Sequence, residues 1–337
     1  MISDLLHAAR AQNASDLHLV AGLAPIARID GRLVAWDGAA MDAHDLRSLA
    51  QEFLDEPDRS QLQRVGDVTA AAGDPETVRV HVTRVAQGVA LTLRFLARTV
   101  PSIEELDLPE ILAQIVRRPH GLVVLGGPTG SGKTTTLAAL VAAINRDCAK
   151  KIVTIEDPIE YRIASARSVV VQRQAGRDVP DFAHAVIGAL RSDPDVIVIG
   201  EIRDAQTVAA AIAAAETGHL VLATLHTGDA SQSVDRLVDA FAGERTEYVR
   251  GRIAHVLLCA ISQRLVPRAS GGGRCLAAEV LVVNDAVRHM IREGKHHQLG
   301  SVMATGRALG MQTLAAHLAA LVERGDVSPA AAREVLA

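Results

Sequence analysis

Aromatic side chains are nearly absent from this sequence of 337 residues: one Trp, two Tyr and four Phe, 2% in all. Single-stranded nucleic acids are held largely by stacking on such rings, so their scarcity argues against a strand-binding surface. Lysine is scarce too. Of 35 basic residues only Lys133, Lys150, Lys151 and Lys295 are Lys, the rest being Arg, and the net charge is −4. With a pI of about 6.4 there is no basic domain of the kind that marks a dedicated nucleic-acid binder. The three cysteines, Cys148, Cys259 and Cys275, stand apart with no CxxC pair, which excludes a disulfide framework and a four-thiolate zinc site. Long apolar runs are also missing. The aliphatic stretch Val208 to Ala215 is far short of the ~20 residues that span a bilayer. The start MISDLLHAAR has no charged segment followed by an apolar one, so no signal peptide is expected and a cytosolic protein follows.

What is present is aliphatic. Hydrophobic residues make up 49% and charged residues 22%, enough apolar material for packed cores of Ala, Val, Leu and Ile. The length suits about two domains. Residues 1 to 97 read as a smaller α+β unit. Ile2 to Ala11 and Asp42 to Asp55 have helical spacing. Leu17 to Val20, Ile26 to Ile29, Arg32 to Trp36, Val78 to Val82 and Val89 to Leu96 read as strands, with Asp30-Gly31 as a hairpin turn. A linker, 98 to 109, carries Pro101 and Pro109. From 110 to 337 wholly aliphatic strands alternate with helices: Leu122 to Leu125, Ile152 to Ile155, Val196 to Ile199 and Leu220 to Leu225. That pattern belongs to a parallel sheet covered on both faces. A further strand, Leu276 to Val283, precedes a helical C-terminal region from about 284. There Thr313 to Arg324 and the Ser328-Pro329 start are the clearest helices.

The segment Gly127-Pro128-Thr129-Gly130-Ser131-Gly132-Lys133-Thr134, continued by Thr135, matches G-x-x-x-x-G-K-[ST] between a strand and a helix. Its glycines let backbone N–H groups turn in around a phosphate, and the helix N-terminus adds its positive dipole end. Lys133 would neutralise β- and γ-phosphate charge, and the Thr134 hydroxyl would ligate Mg²⁺. Two further strands end in acids, Glu156-Asp157-Pro158-Ile159-Glu160 and Gly200-Glu201-Ile202-Arg203-Asp204. In parallel sheets ligands sit beyond the carboxyl ends of the strands. Glu201 is therefore the first candidate to orient an attacking water, with Glu160 assisting it or the metal. Asp204 reads as the cap of the helix Ala205 to Glu216. His226, after the strand from Leu220, shares that edge and could donate to a γ-phosphate. His219 reads as structural and His296-His297 as a solvated pair.

GGPTGSGKTTT, TIEDPIEY, LRSDPDVIVIGEIRD and TGHLVLATLHT, in this order and spacing, resemble the Walker A, Asp box, Walker B and His box of the secretion-superfamily ATPases. Within them the chain is most similar to the twitching-motility, type IV pilus retraction ATPases of the PilT type. ASDLHL, PIARIDGRL, AVRHMIREGK and GMQT extend the likeness over nearly the whole chain. The resemblance implies a RecA-like P-loop ATPase domain with a parallel-rich sheet, preceded by a PAS-like N-terminal domain. It implies ATP hydrolysis by a homohexamer that acts on an inner-membrane pilus platform protein from the cytoplasmic face, while the loop and strand-end acids themselves make Thr134, Glu160 and Glu201 the candidates to hold Mg²⁺. It also implies arginine fingers at Arg79 and Arg94, fifteen residues apart on two strands. The family's AIRN motif reads Ala286-Val287-Arg288-His289 here, and the segment around the first finger, Val78 to Thr83, has no Phe. Lack of the four-cysteine motif of assembly and type II secretion ATPases points to retraction. The alternatives are an accessory retraction paralogue, an assembly motor, a RecA-like nucleic-acid motor or a non-hydrolysing scaffold.

Overall fold

The computed structural model describes residues 2–29, 32–36, 38–72, 78–95, 99–241 and 246–336. The expected turn Asp30-Gly31 lies outside these. Two compact units divide the chain: residues 1–99 with Pro158–Tyr161, and residues 100–157 with 162–337. The residues read as a linker thus group, from Val100 onward, with the second unit.

The first unit is built on six antiparallel strands: β1 (Asp16–Leu19), β2 (Ile26–Ile29), β3 (Arg32–Ala35), β4 (Asp67–Ala72), β5 (Val78–Val85) and β6 (Gly88–Phe95). Their order is β3-β2-β1-β6-β5-β4. Val78, Val80 and Val82 alternate inward on β5 and meet Leu91 and Leu93 of β6, closing a core with Leu46 and Leu49 of the helix Ala43–Phe53. Asp42 caps that helix by accepting from the His44 and Asp45 N–H groups. A second helix, Glu56–Val65, and the strand β4 were not expected. The helix is polar almost throughout, and β4 reads Asp-Val-Thr-Ala-Ala-Ala at the sheet edge, so neither shows an apolar period.

The second unit holds β7 (Gly121–Gly126), β8 (Lys151–Glu156), β9 (Val169–Gln174), β10 (Val196–Ile199), β11 (Leu220–Thr224), β12 (Leu257–Pro267) and β13 (Arg274–Val282). The order is β13-β12-β7-β11-β10-β8-β9, parallel throughout except for the antiparallel β12–β13 pair. All residues of β7, β10 and β11 are buried. Along β7 side chains alternate between two cores, Leu122 and Val124 into one, Val123 and Leu125 into the other. The helix Lys133–Asp147 covers one face with Leu137, Leu140 and Ile144. Ala205–Glu216 covers the other with small side chains, burying Ala210, Ala211, Ala214 and Ala215 completely or nearly so against β7 and β11. Asp204 caps that helix as expected, its Oδ1 2.8 Å from the Thr207 N.

In the C-terminal region Asn284 caps the helix Asp285–Arg292 and Thr313 caps Leu314–Glu323. Val287 and Ile291 are buried, but Ala286 is exposed rather than part of the apolar face. Arg288 is not a free surface charge. Its Nη1 donates to the carbonyls of Ala254 (2.8 Å) and His255 (2.9 Å) at the end of the helix Thr246–Val256. His296 is not solvated either. It is buried, with Nδ1 hydrogen-bonded to Asp235, and only His297 is exposed. His219 is structural as read, its Nδ1 2.9 Å from the Ala214 carbonyl oxygen.

Candidate active site

Parallel register brings the site residues level. Thr224 pairs with Leu125, and Ile199 with Ala223, so β7, β10 and β11 end side by side. The phosphate loop, Glu201 and His226 follow those three ends directly. The loop is possible only with glycine at its start. Gly127 has φ +146°, and a Cβ there would stand 2.5 Å from Ser131 Oγ and 2.7 Å from the Gln263 carbonyl oxygen. Gly132, at φ +87°, forms the N-cap of Lys133–Asp147 and supplies no capping side chain. The first N–H groups of that helix are therefore left for an anion, unlike those of the helices capped by Asp181, Asp204 or Asp229. Ser131 Oγ is buried in the loop without a hydrogen-bond partner among the described residues. A phosphate oxygen suits both features.

Lys133 is 8% exposed and its Nζ donates to the carbonyls of Gly127 (2.7 Å) and Pro128 (2.9 Å). Burial pushes the ammonium below its ordinary pKa, Glu201 works against that, and Arg264 adds to it. Glu201 sits at the centre of a charged cluster. Its Oε1 is 2.9 Å from His226 Nε2 and its Oε2 is 2.8 Å from Arg203 Nη2. Arg203 Nη1 lies 3.7 Å from Asp157. Burial raises the Glu201 pKa, but Arg203 and His226 outweigh it and hold the carboxyl below the usual carboxylate range. Glu201 is thus ionised at neutral pH, ready to accept a hydrogen bond from water. Behind the site Thr224 Oγ1 donates to the Gly200 carbonyl and ties β11 to the residue before Glu201.

The other expected residues lie in the first unit. Arg79 and Arg94 are direct cross-strand partners on β5 and β6, so the fifteen-residue spacing places them side by side on one face. Arg94 Nε is 2.8 Å from Asp16 Oδ1, and Arg79 Nη1 is 3.5 Å from Glu160 Oε1. Glu160 belongs to the Pro158–Tyr161 segment that groups with this unit. Reading the sequence gave no role to Arg203 or to Gln263, whose Nε2 donates to the Ser131 carbonyl at 2.7 Å. The signal for Gln263 was available: Ser262-Gln263-Arg264 interrupts an otherwise aliphatic run. A cavity of about 370 Å³ opens beside Thr135 and Thr136, bounded by Leu265 and Arg268 at the β12 end, Arg274 and Leu276 of β13, and Leu321 and Arg324 at the end of the helix Leu314–Glu323.

The sequence profile of the type II/IV secretion system proteins matches residues 63–333. The chain belongs to that family. It is 40% identical over 98% of its length to a twitching motility protein of Neisseria gonorrhoeae, covering 89% of that protein. It is 39% identical to the type IV pilus retraction ATPase PilT of Pseudomonas aeruginosa, with 99% and 97% of the two chains covered. A crystal structure of the pilus retraction motor PilT with bound ADP superposes with a TM-score of 0.91 at 40% identity, over 98% of this chain and 96% of that one. The ATPase DotB of Legionella pneumophila superposes at 0.83 and 29% identity, over 99% and 95%. The likeness runs through both units, and the chain is an ATPase of this family. No helix among the described residues is long and apolar enough to cross a membrane.

Proposed function

We propose that this protein is an ATP-hydrolysing motor that powers retraction of a type IV pilus. The observation that carries the reading is the ionised Glu201, held by His226 and Arg203 level with an uncapped phosphate loop, in a chain so similar throughout to a retraction motor. Lys133 and the loop N–H groups bind the phosphates, and the cavity beside Thr135 suits the nucleoside, being within the ~300–1,000 Å³ usual for ligands. The residues fit Mg²⁺. Thr134 follows Lys133 in the loop, Glu201 is charged, and this ion needs few protein ligands because phosphates and waters supply the others. When bound, Mg²⁺ neutralises charge on the phosphate oxygens. Glu201 orients the attacking water, and His226 reports the γ-phosphate through the bond it shares with Glu201. Arg79 and Arg94, in the other unit, serve as fingers for transition-state charge, with Glu160 holding Arg79. A homohexameric ring lets one protomer's fingers complete a neighbour's site. Its partner is a pilus platform protein at the inner face of the cytoplasmic membrane.

The test has two arms. The purified protein hydrolyses ATP with Mg²⁺, Lys133→Ala binds nucleotide weakly, and Glu201→Gln binds it without turnover. In cells, deletion of the gene gives excess surface pili without twitching, and the wild-type copy restores motility. Unchanged piliation and motility on deletion would remove the retraction assignment while leaving the ATPase.

A further inference from the structure

Three consecutive residues of β12 reach both loops of the site. Ser262 stands opposite Gly126 of β7, so the strand passes directly behind the start of the phosphate loop. Side chains alternate there. Gln263 points to the phosphate loop, where its Nε2 donates to the Ser131 carbonyl. Ser262 and Arg264, two apart, point to the loop after His226. Ser262 Oγ donates to the Gly228 carbonyl at 3.0 Å and Arg264 Nη2 donates to the same oxygen at 2.6 Å. Both lone pairs of that carbonyl are therefore taken, one of them by a charged donor. The second guanidinium nitrogen of Arg264 donates to the Gln263 carbonyl at 3.1 Å, which locks the fork in place. Two residues beyond Gly228, Glu279 of β13, the cross-strand partner of Ser262, accepts from the Ala230 N–H at 2.7 Å. The His226 loop is thus pinned at Gly228 and at Ala230, and the phosphate loop at Ser131, all from the β12–β13 hairpin.

The choice of Gln at 263 is informative. The residue is wholly buried, and its Oε1 has no partner among the described residues. An unsatisfied buried amide oxygen is a cost that an apolar side chain of the same length avoids. Stability does not account for it, whereas the bond to Ser131 does.

We propose that Gln263 and Arg264 are positioning residues for hydrolysis, Gln263 setting the phosphate loop to receive nucleotide and Arg264 holding the His226 loop so that His226 stays on Glu201. Neither touches the reacting atoms. This rests on the reading of the site as hydrolytic, and the two residues divide the work. Loosening the phosphate loop affects binding, so Gln263→Met raises the KM for ATP about tenfold and leaves kcat nearly unchanged. Loosening the His226 loop affects the chemical step, so Arg264→Ala lowers kcat about tenfold or more with KM within about twofold, since displacements on the order of 1 Å can cost that much. Arg264→Lys, which keeps a charged donor, recovers part of the loss, and added guanidinium at non-denaturing concentration raises the rate of Arg264→Ala only.

Hydrogen exchange followed by mass spectrometry gives a readout independent of turnover. Arg264→Ala speeds exchange in residues 226–230 and not in 127–133; Gln263→Met does the reverse and weakens binding of a fluorescent ADP analogue. If the wild-type protein binds the analogue but does not hydrolyse ATP, the hydrolytic reading fails while the exchange pattern still decides the positioning roles. Equal exchange changes in both loops for both variants, or wild-type kinetics and exchange in either, overturns the proposal.

Discussion

Arg288→Ala separates two roles for a residue in the segment that resembles the retraction motif. The helix Thr246–Val256 runs into β12 at Leu257 with no intervening residue, so it has no room for a glycine cap at its C-terminus. Arg288 reaches across from the next helix and bonds two of the carbonyls that such a cap would satisfy. Each bond is charge-assisted, worth ~1.5–3 kcal/mol when fully desolvated. Arg288 is only partly buried, which reduces that, while its charge at the negative end of a helix adds a few tenths of a kcal/mol. We expect Arg288→Ala to cost about 1–2 kcal/mol. For a domain of this size the melting temperature falls by about 2–4 °C per kcal/mol, so the shift is on the order of 2–8 °C. Arg288→Lys, which keeps a cation but not the fork, falls by less. ATP turnover remains in both, because the bonds lost go to Ala254 and His255 and not to the phosphate loop or Glu201. Differential scanning calorimetry with a turnover assay on the same samples measures this. A melting temperature unchanged in Arg288→Ala would refute the capping argument. If twitching then failed, the residue would belong to force output instead.

Two further outcomes follow. If Arg94 acts across a ring as proposed, mixing inactive Arg94→Ala with inactive Glu201→Gln restores some ATPase activity, because a mixed ring would pair an intact finger with an intact acid; no recovery in confirmed mixed rings assigns Arg94 to its bond with Asp16 alone. His317 is buried, its Nδ1 accepts from the Ala278 N–H at 3.0 Å, and burial, outweighing Asp107, holds its pKa below the ordinary 6.5. The neutral ring is the folded form, so its contribution is complete above about pH 6.5 and is lost as pH falls through the depressed value. Urea midpoints at pH 7.5 and 5.5 should therefore fall further in the wild type than in His317→Gln, and equal slopes would discard the buried-neutral assignment.

The aliphatic strands of the second unit were legible because burial on both faces leaves no polar period to confuse them: Val196–Ile199 is found where it was read. The helix Ala205–Glu216 was legible from its cap. Edge and polar elements were not. Val169–Gln174 has Val169 and Val171 exposed, and the 11-residue strand Leu257–Pro267 carries the polar triplet 262–264 and follows a helix with no break. In the site, Gly127 to Thr134, Glu201 and His226 were readable as motifs at strand ends. The Arg203–Glu201–His226 bonds and the burial of His296 were not, because they depend on which loops meet in space.

The alanine-lined contact beneath Ala205–Glu216 bears on mechanics. Ala211, Ala214 and Ala215 are buried there beside Val208 and Ile212, and the alanines have no rotamers to spare. Such an interface has little compliance. Load applied at one end of the unit is passed through it with small internal displacement, as through a close-packed solid. Enlarging a single contact, as in Ala211→Val, would overpack it at a cost of ~1–3 kcal/mol.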